Sequence, residues 1–225
     1  MNRRDLIKKL IAAGLLAAMP IKSTSAKQLK ETPQLHFIGL SDAGANIIRH
    51  FHSKGMRGKY TIISTELSFQ LHPDIDHIQI EVRNRTSGFN PYHPSIHLCD
   101  NGENMNIPDS VYSIFNNNDL FVLLSGLGGY TGSRLMESLS RKLEEKQKDY
   151  RAICSLPFRF EGIVRRSSAL YTLNSIGNIN TVHAFELEDL RKDHPDMVLS
   201  NAFNKANEEF WRIFNKQPRM GFAHN

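Results

Sequence analysis

The sequence predicts an α/β protein, a mainly parallel sheet with helices on both faces. Short apolar runs alternate along the chain with longer runs whose apolar residues recur at helical spacing. That order places a crossover helix after each strand. The chain has 225 residues and is 40% apolar, which suits one domain with a real core. Stretches of unusual composition follow the strand-like runs directly, at the edge where open parallel sheets hold ligands.

The first strand is "LHFIGL" (35–40), and "GANIIRHFHSKG" after it reads as a helix that Gly55 ends. "KYTIIST" (59–65) is a second strand. "HIQIEV" (77–82) alternates apolar and polar residues, as a third strand nearer an edge does. Residues 84–107, rich in Asn, Gly, Pro and His, predict a long loop. A short helix around 111–115 leads to strand four, "LFVLLS" (120–125), a continuous apolar run that needs cover on both faces. In the helix predicted over 132–147, Leu135, Leu139 and Leu143 share one face. "RAICSL" (151–156) is strand five, followed by a helix over 162–173, and "NTVHAF" (180–185) is strand six. The last helix, 197–214, sets Leu199, Phe203, Ala206, Phe210 and Ile213 along one stripe. Neither an internal repeat nor a second domain is expected.

Five loops carry the unusual residues: "SDAGAN", "TEL", "SGFNP", "GLGGYTG" and "PFRFEG", after or near strands one to five. The densest is "SGLGGYTGS" (125–133), with four glycines in nine residues between a buried strand and a strong helix. Backbone N–H groups of such a loop, with the positive end of the helix behind it, hold phosphate without a lysine. "IGLSDAGAN" (38–46) admits a dinucleotide fingerprint, with Glu66 taking the ribose. Its glycines at 39 and 44 do not form the required triplet, and a nicotinamide site leaves "GLGGYTGS" unexplained.

"DLFVLLSGLGGYTGS" resembles the phosphate-binding signature of the FtsZ/tubulin family, with Gly126, Gly128, Gly129, Thr131 and Gly132 at matching positions. "IGLSDAGANIIRHF" is similar to that family's first nucleotide loop, through Gly39, Gly44 and Asn46, and "GFNP" (88–91) resembles its third. "LPFRFEGIVRR" resembles the stretch where a glutamate and an arginine contact the nucleotide, here Glu161 and Arg165. "NAFNKANEEF" resembles the start of the core helix, where Phe203 and Asn207 match the aromatic and the Asn or Asp that meet the guanine ring. The matches run in family order over roughly residues 34–214. The resemblance implies a Rossmann-like nucleotide-binding domain that takes GTP or GDP, with Mg²⁺ entering only alongside the nucleotide. Gly44, Gly126, Gly128, Gly129, Thr131 and Gly132 then serve phosphate. Asn46, Glu161, Arg165, Phe203 and Asn207 serve ribose and base. Plainer roles stay open: Thr131 as a helix cap, Phe203 in the core, Asn207 facing solvent, Glu161 and Arg165 as an i, i+4 pair.

The departures from the family are local. Its run of glycines in the first loop becomes Ser41, Asp42, Ala43 and Ala45, and Asp42 sets a negative charge where phosphate belongs. Tyr130 and Arg134 replace glycines of the phosphate loop, Tyr130 crowding it and Arg134 able to offset Asp42. Glu186 stands in place of an Asn after strand six. The chain stops soon after the core helix, short of the family's acidic loop and second domain. No catalytic residue and no self-sufficient hydrolysis are therefore expected; another FtsZ/tubulin-like chain could still dock on the nucleotide face. The alternative is a degenerate exported scaffold that binds a protein or small ligand. No metal site is expected: "HPSIHLCD" offers His93, His97, Cys99 and Asp100, but reads as a polar surface loop. Cys99 and Cys154 read as two idle thiols.

Residues 1–26, "MNRRDLIKKLIAAGLLAAMPIKSTSA", carry paired arginines, an apolar run of 12 residues and a small-residue ending. A membrane span needs about 20 residues, so this is the layout of a cleaved export signal, and "NRRDLIK" resembles the twin-arginine motif. The expected mature domain is 27–225, exported to the periplasm; an amphipathic cytoplasmic leader is the alternative. The leader holds +4 of the net +5, so nucleic-acid binding gains no support from the charge.

Overall fold

Six of the apolar runs pair into one sheet in the computed structural model, which describes residues 33–65, 72–82, 105–117, 119–176 and 181–216. These residues belong to a compact unit that begins at Thr32. The strands are β1 (Leu35–Leu40), β2 (Lys59–Ser64), β3 (Asp76–Gln79), β6 (Leu120–Gly126), β7 (Tyr150–Leu156) and β8 (Val182–Glu186). Two short strands, β4 (Glu81–Val82) and β5 (Met105–Asn106), form a separate antiparallel pair. The main sheet is parallel throughout, in the order β3-β2-β1-β6-β7-β8. The order reverses between β1 and β6, where the chains after the two strands leave toward opposite faces. Such a reversal opens a crevice at the carboxyl edge.

Alternating side chains give each strand two buried faces. Phe37, Val122, Leu124 and Ile153 point to one side, and α1 (Ser41–Ser53) covers them with Ile47, Ile48 and Phe51. Ile38, Leu40, Phe121 and Leu123 point to the other, under Leu135, Met136, Leu139 and Leu143 of α3 (Tyr130–Glu145). Burying each such side chain stabilises the fold by roughly 1.5–3 kcal/mol. A short α2 (Asp109–Ser113) precedes α3. α4 (Ile163–Ser175), α5 (Leu187–Asp193) and α6 (Leu199–Lys216) complete the layers, α6 setting Phe210 and Ile213 beside α1.

Several elements differ from the sequence reading. "HIQIEV" divides at Ile80, which is buried and gives its N–H to the Ser64 carbonyl at 2.9 Å before the chain leaves the main sheet. α1 begins at Ser41, three residues before the Gly44 at which the sequence starts it. Phe203 is not core: it is 58% exposed, and in those turns of α6 it is Ala202 and Ala206 that pack, in a cluster with Phe158, Leu187 and Leu190. α5 has no counterpart in the sequence reading, since only Leu187 and Leu190 of its seven residues are buried. Cys154 is a free, buried thiol whose pKa burial pushes up to about 12. Among the described residues no helix is long and apolar enough to cross a membrane. The leader (1–26), Glu66, "GFNP" (88–91) and the histidine-rich stretch with His93, His97, Cys99 and Asp100 lie outside the described residues.

Candidate functional site

A cleft of about 310 Å³ lies at the carboxyl ends of β1, β6 and β7, at the topological reversal. Its size falls at the lower end of small-ligand sites. One wall is the segment from β6 into α3. Leu127 gives its N–H to the Ser155 carbonyl at 2.9 Å, so the loop is tied to β7. Gly128 sits at φ 96°, and a Cβ there would lie 2.7 Å from the Arg165 carbonyl oxygen. No other residue suits both that backbone angle and that approach. The Gly128 N–H already goes to Ser133 Oγ at 2.9 Å, so Gly128 shapes the loop from beneath and does not line the cleft.

Gly129 is the N-cap of α3, and no side chain caps this end of the helix. The first helical bond runs from the Ser133 N–H to the Gly129 carbonyl, 3.2 Å. The N–H groups of Gly129, Thr131 and Gly132 precede that bond, and all three residues line the cleft with Gly126 and Tyr130. A 16-residue helix thus presents its positive end to the cavity. Thr131 lies inside the first turn and is not the cap, which leaves its hydroxyl beside the cleft.

A second, adjoining wall comes from α1. Ser41 takes φ 62°, a backbone state that costs a non-glycine residue strain and that clusters at functional sites. Asp42 follows in the first turn and brings its carboxylate to the cleft. Asn46 also lines it, its Oδ1 accepting from Arg49 Nη1 at 2.9 Å. Gly44 does not: it is buried against β1, where a Cβ would stand 2.5 Å from the Gly39 carbonyl carbon. Its part in the fold is close helix–strand packing.

Glu161 and Arg165 close one side. Glu161 accepts from the Phe158 N–H at 2.9 Å and from Arg165 Nη1 at 2.5 Å, so the i, i+4 pair exists and faces the cavity. α6 closes the other side with Phe203, Ala206, Asn207 and Phe210. One expectation fails here. Arg134 lies outside the cleft, 3.7 Å from Glu137 in a small space against α4, so it does not offset Asp42. Glu186 holds Arg166 by two bonds of 2.7 Å each. Pro157, Leu187 and Phe210 line the cleft without having been singled out, because their types carry no chemistry a sequence could flag.

No protein-family model matches the sequence, and no curated protein matches it. Solved structures do. An empty FtsZ dimer from M. jannaschii is similar at a TM-score of 0.64 and 19% identity, over 99% of this chain. CetZ2 from Haloferax volcanii, in a GTPγS-bound protofilament, is similar at 0.59 and 18%, over 80% of this chain and 56% of its own. TubZ from Clostridium botulinum phage c-st is similar at 0.54 and 14%, over 84% and 60%. The chain spans 63% of the length of the FtsZ it matches. With its six parallel strands and flanking helices, it has the Rossmann-like fold of the FtsZ/tubulin nucleotide-binding domain.

Proposed function

We propose that the cleft binds a guanine nucleotide, GTP or GDP, weakly and without turnover by this chain alone. One observation carries the reading: the open amino end of α3 and the amide of Asn207 face one cavity. The helix end supplies N–H donors and a positive dipole for phosphate. Asn207 offers a paired donor and acceptor to a guanine edge, and exposed Phe203 beside it offers a face for stacking. Asn46, Glu161 and Arg165 stand where a ribose would lie between them, and Mg²⁺ would enter with the phosphates. CetZ2 with GTPγS supports the same ligand class. Weakness follows from Asp42, whose charge opposes phosphate, and from Tyr130 in the loop. Of the two carboxylates that line the cleft among the described residues, Glu161 is spent on Phe158 and Arg165, and Asp42 lies in the first turn of α1.

The test is thermal melting of the full chain with GTP, GDP or ATP. Guanine nucleotides should raise the melting temperature more than ATP, with about 2.7 kcal/mol of stabilisation at a hundredfold excess over Kd. Thr131→Ala should cost about 1 kcal/mol of binding, one hydrogen bond, and Asp42→Asn should tighten it. Phosphate release should stay at background at every protein concentration. A flat titration at millimolar nucleotide supports the second reading, an exported interaction scaffold, which the Asp42 carboxylate favours. Docking of another FtsZ/tubulin-like chain on the nucleotide face is part of the same proposal, since the structural relatives include a dimer and a protofilament. So is export of the domain by the twin-arginine route.

A further inference from the structure

α1 runs back from the carboxyl edge, so its last turn lies at the amino edge of the sheet, opposite the cleft. There it meets the chain that enters β3, and three ligand-bearing side chains converge. His52 comes from the end of α1; His72 and Asp74 come from the turn before β3. Their donor atoms all lie within 4.8 Å of one another. His72 Nδ1 is 3.4 Å from Asp74 Oδ2, and His52 Nε2 is 3.9 Å from the same oxygen. The two imidazole rings are 4.3 Å apart, centroid to centroid.

A tetrahedral ion with nitrogen and oxygen donors at about 2.0–2.2 Å sets those donors roughly 3.4 Å apart. His72 and Asp74 already stand at that spacing, the His52 nitrogen must close on the carboxylate by roughly 0.5 Å from its 3.9 Å, and the two histidine donors start within 4.8 Å of each other. The supports are built in. The turn is held by the Ile75 N–H on the His72 carbonyl at 3.0 Å, by buried Ile75, and by the fixed φ of Pro73. The Asp74 N–H donates to His72 Nδ1 at 3.3 Å, so in the neutral ring that nitrogen carries the lone pair, and a metal held there replaces this bond. His52 is packed edge-on against Tyr60 at 5.3 Å. The negative end of the α1 dipole lies at the same place.

We propose that His52, His72 and Asp74 bind one divalent transition-metal ion, best matched by Zn²⁺, with water in the fourth position. Two imidazoles and one carboxylate suit that ion better than Ca²⁺ or Mg²⁺, which take oxygen ligands. The bound ion clips the end of α1 to the turn that feeds the edge strand β3.

The test uses the full chain stripped of metal, titrated with Zn²⁺ against a chromophoric chelator and with Co²⁺ by visible absorption. The wild type should bind Zn²⁺ and show the Co²⁺ band of a four-coordinate site. His52→Gln, His72→Gln and Asp74→Asn should each weaken Zn²⁺ binding at this site by more than about tenfold and remove the band. Asp74 is 72% exposed, so Asp74→Asn leaves the core untouched and decides the matter if His52→Gln melts early. Zn²⁺ binding that is absent in the wild type, or equal in all three variants because the ion sits elsewhere in the chain, overturns the proposal.

Discussion

His36 is a buried histidine in β1 with its Nε2 on Thr61 Oγ1 at 2.8 Å and its Nδ1 3.8 Å from the Asp119 carboxylate. Burial outweighs that carboxylate, which Lys59 already engages at 2.8 Å, and holds the pKa of His36 down to about 4 from its ordinary 6.5. The folded chain therefore keeps His36 neutral where the unfolded chain protonates it. Its contribution is fully present above the unfolded value and is lost as pH falls from about 6.5 toward 4, about 3 kcal/mol in all. Urea melts between pH 7.5 and 4.5 should show that slope, and His36→Gln should flatten it. A slope unchanged in the variant assigns the loss to other groups. The pairing with Thr61 and Asp119 joins residues far apart in the chain, which is why the sequence showed His36 only as a member of an apolar run.

At the scale of elements, legibility follows periodicity. α3 was readable because Leu135, Leu139 and Leu143 repeat on one face and all three are buried. α6 was readable as a helix, yet its stripe misplaced Phe203: spacing reports a face, not whether a sheet lies beneath that turn. Gly44 shows the same limit from the other side. A glycine near a phosphate loop reads as a ligand-facing residue, but here it lets α1 lie on β1. With backbone atoms of Gly39 at 2.5 Å and of Leu124 at 2.8 Å from an added Cβ, the helix would have to shift. Gly44→Ala should cost about 1–3 kcal/mol of stability, read as a lower denaturation midpoint. A variant that melts with the wild type would show that α1 is not held that closely. The ordered loops at the strand ends were legible from their composition, whereas the convergence of Asn46, Arg165 and Asn207 on one cavity needed the three-dimensional layering of α1, α4 and α6.

At the scale of the whole molecule, the six-strand parallel order follows from the alternation of strands and helices, but the point of reversal does not. Only the pairing of β1 with β6 locates the cleft. The proposed export belongs to this scale as well, since the twin-arginine resemblance implies passage of a folded domain. Arg3→Lys with Arg4→Lys should retain the protein inside the cell, seen by fractionation, and a wild type found uncleaved in the cytoplasm would contradict the signal. The central strand pair bears on when such a domain could be ready. The Ser125 hydroxyl that reaches the Leu40 carbonyl lies 85 residues further along the chain. During synthesis β1 therefore waits, open along one side, until most of the domain has emerged from the ribosome, and contacts of such sequence separation form slowly. For that interval its apolar edge is exposed to other chains. The pairing of β1 with β6 is therefore made late, so a chaperone that covers β1 in the meantime would raise the yield of folded protein.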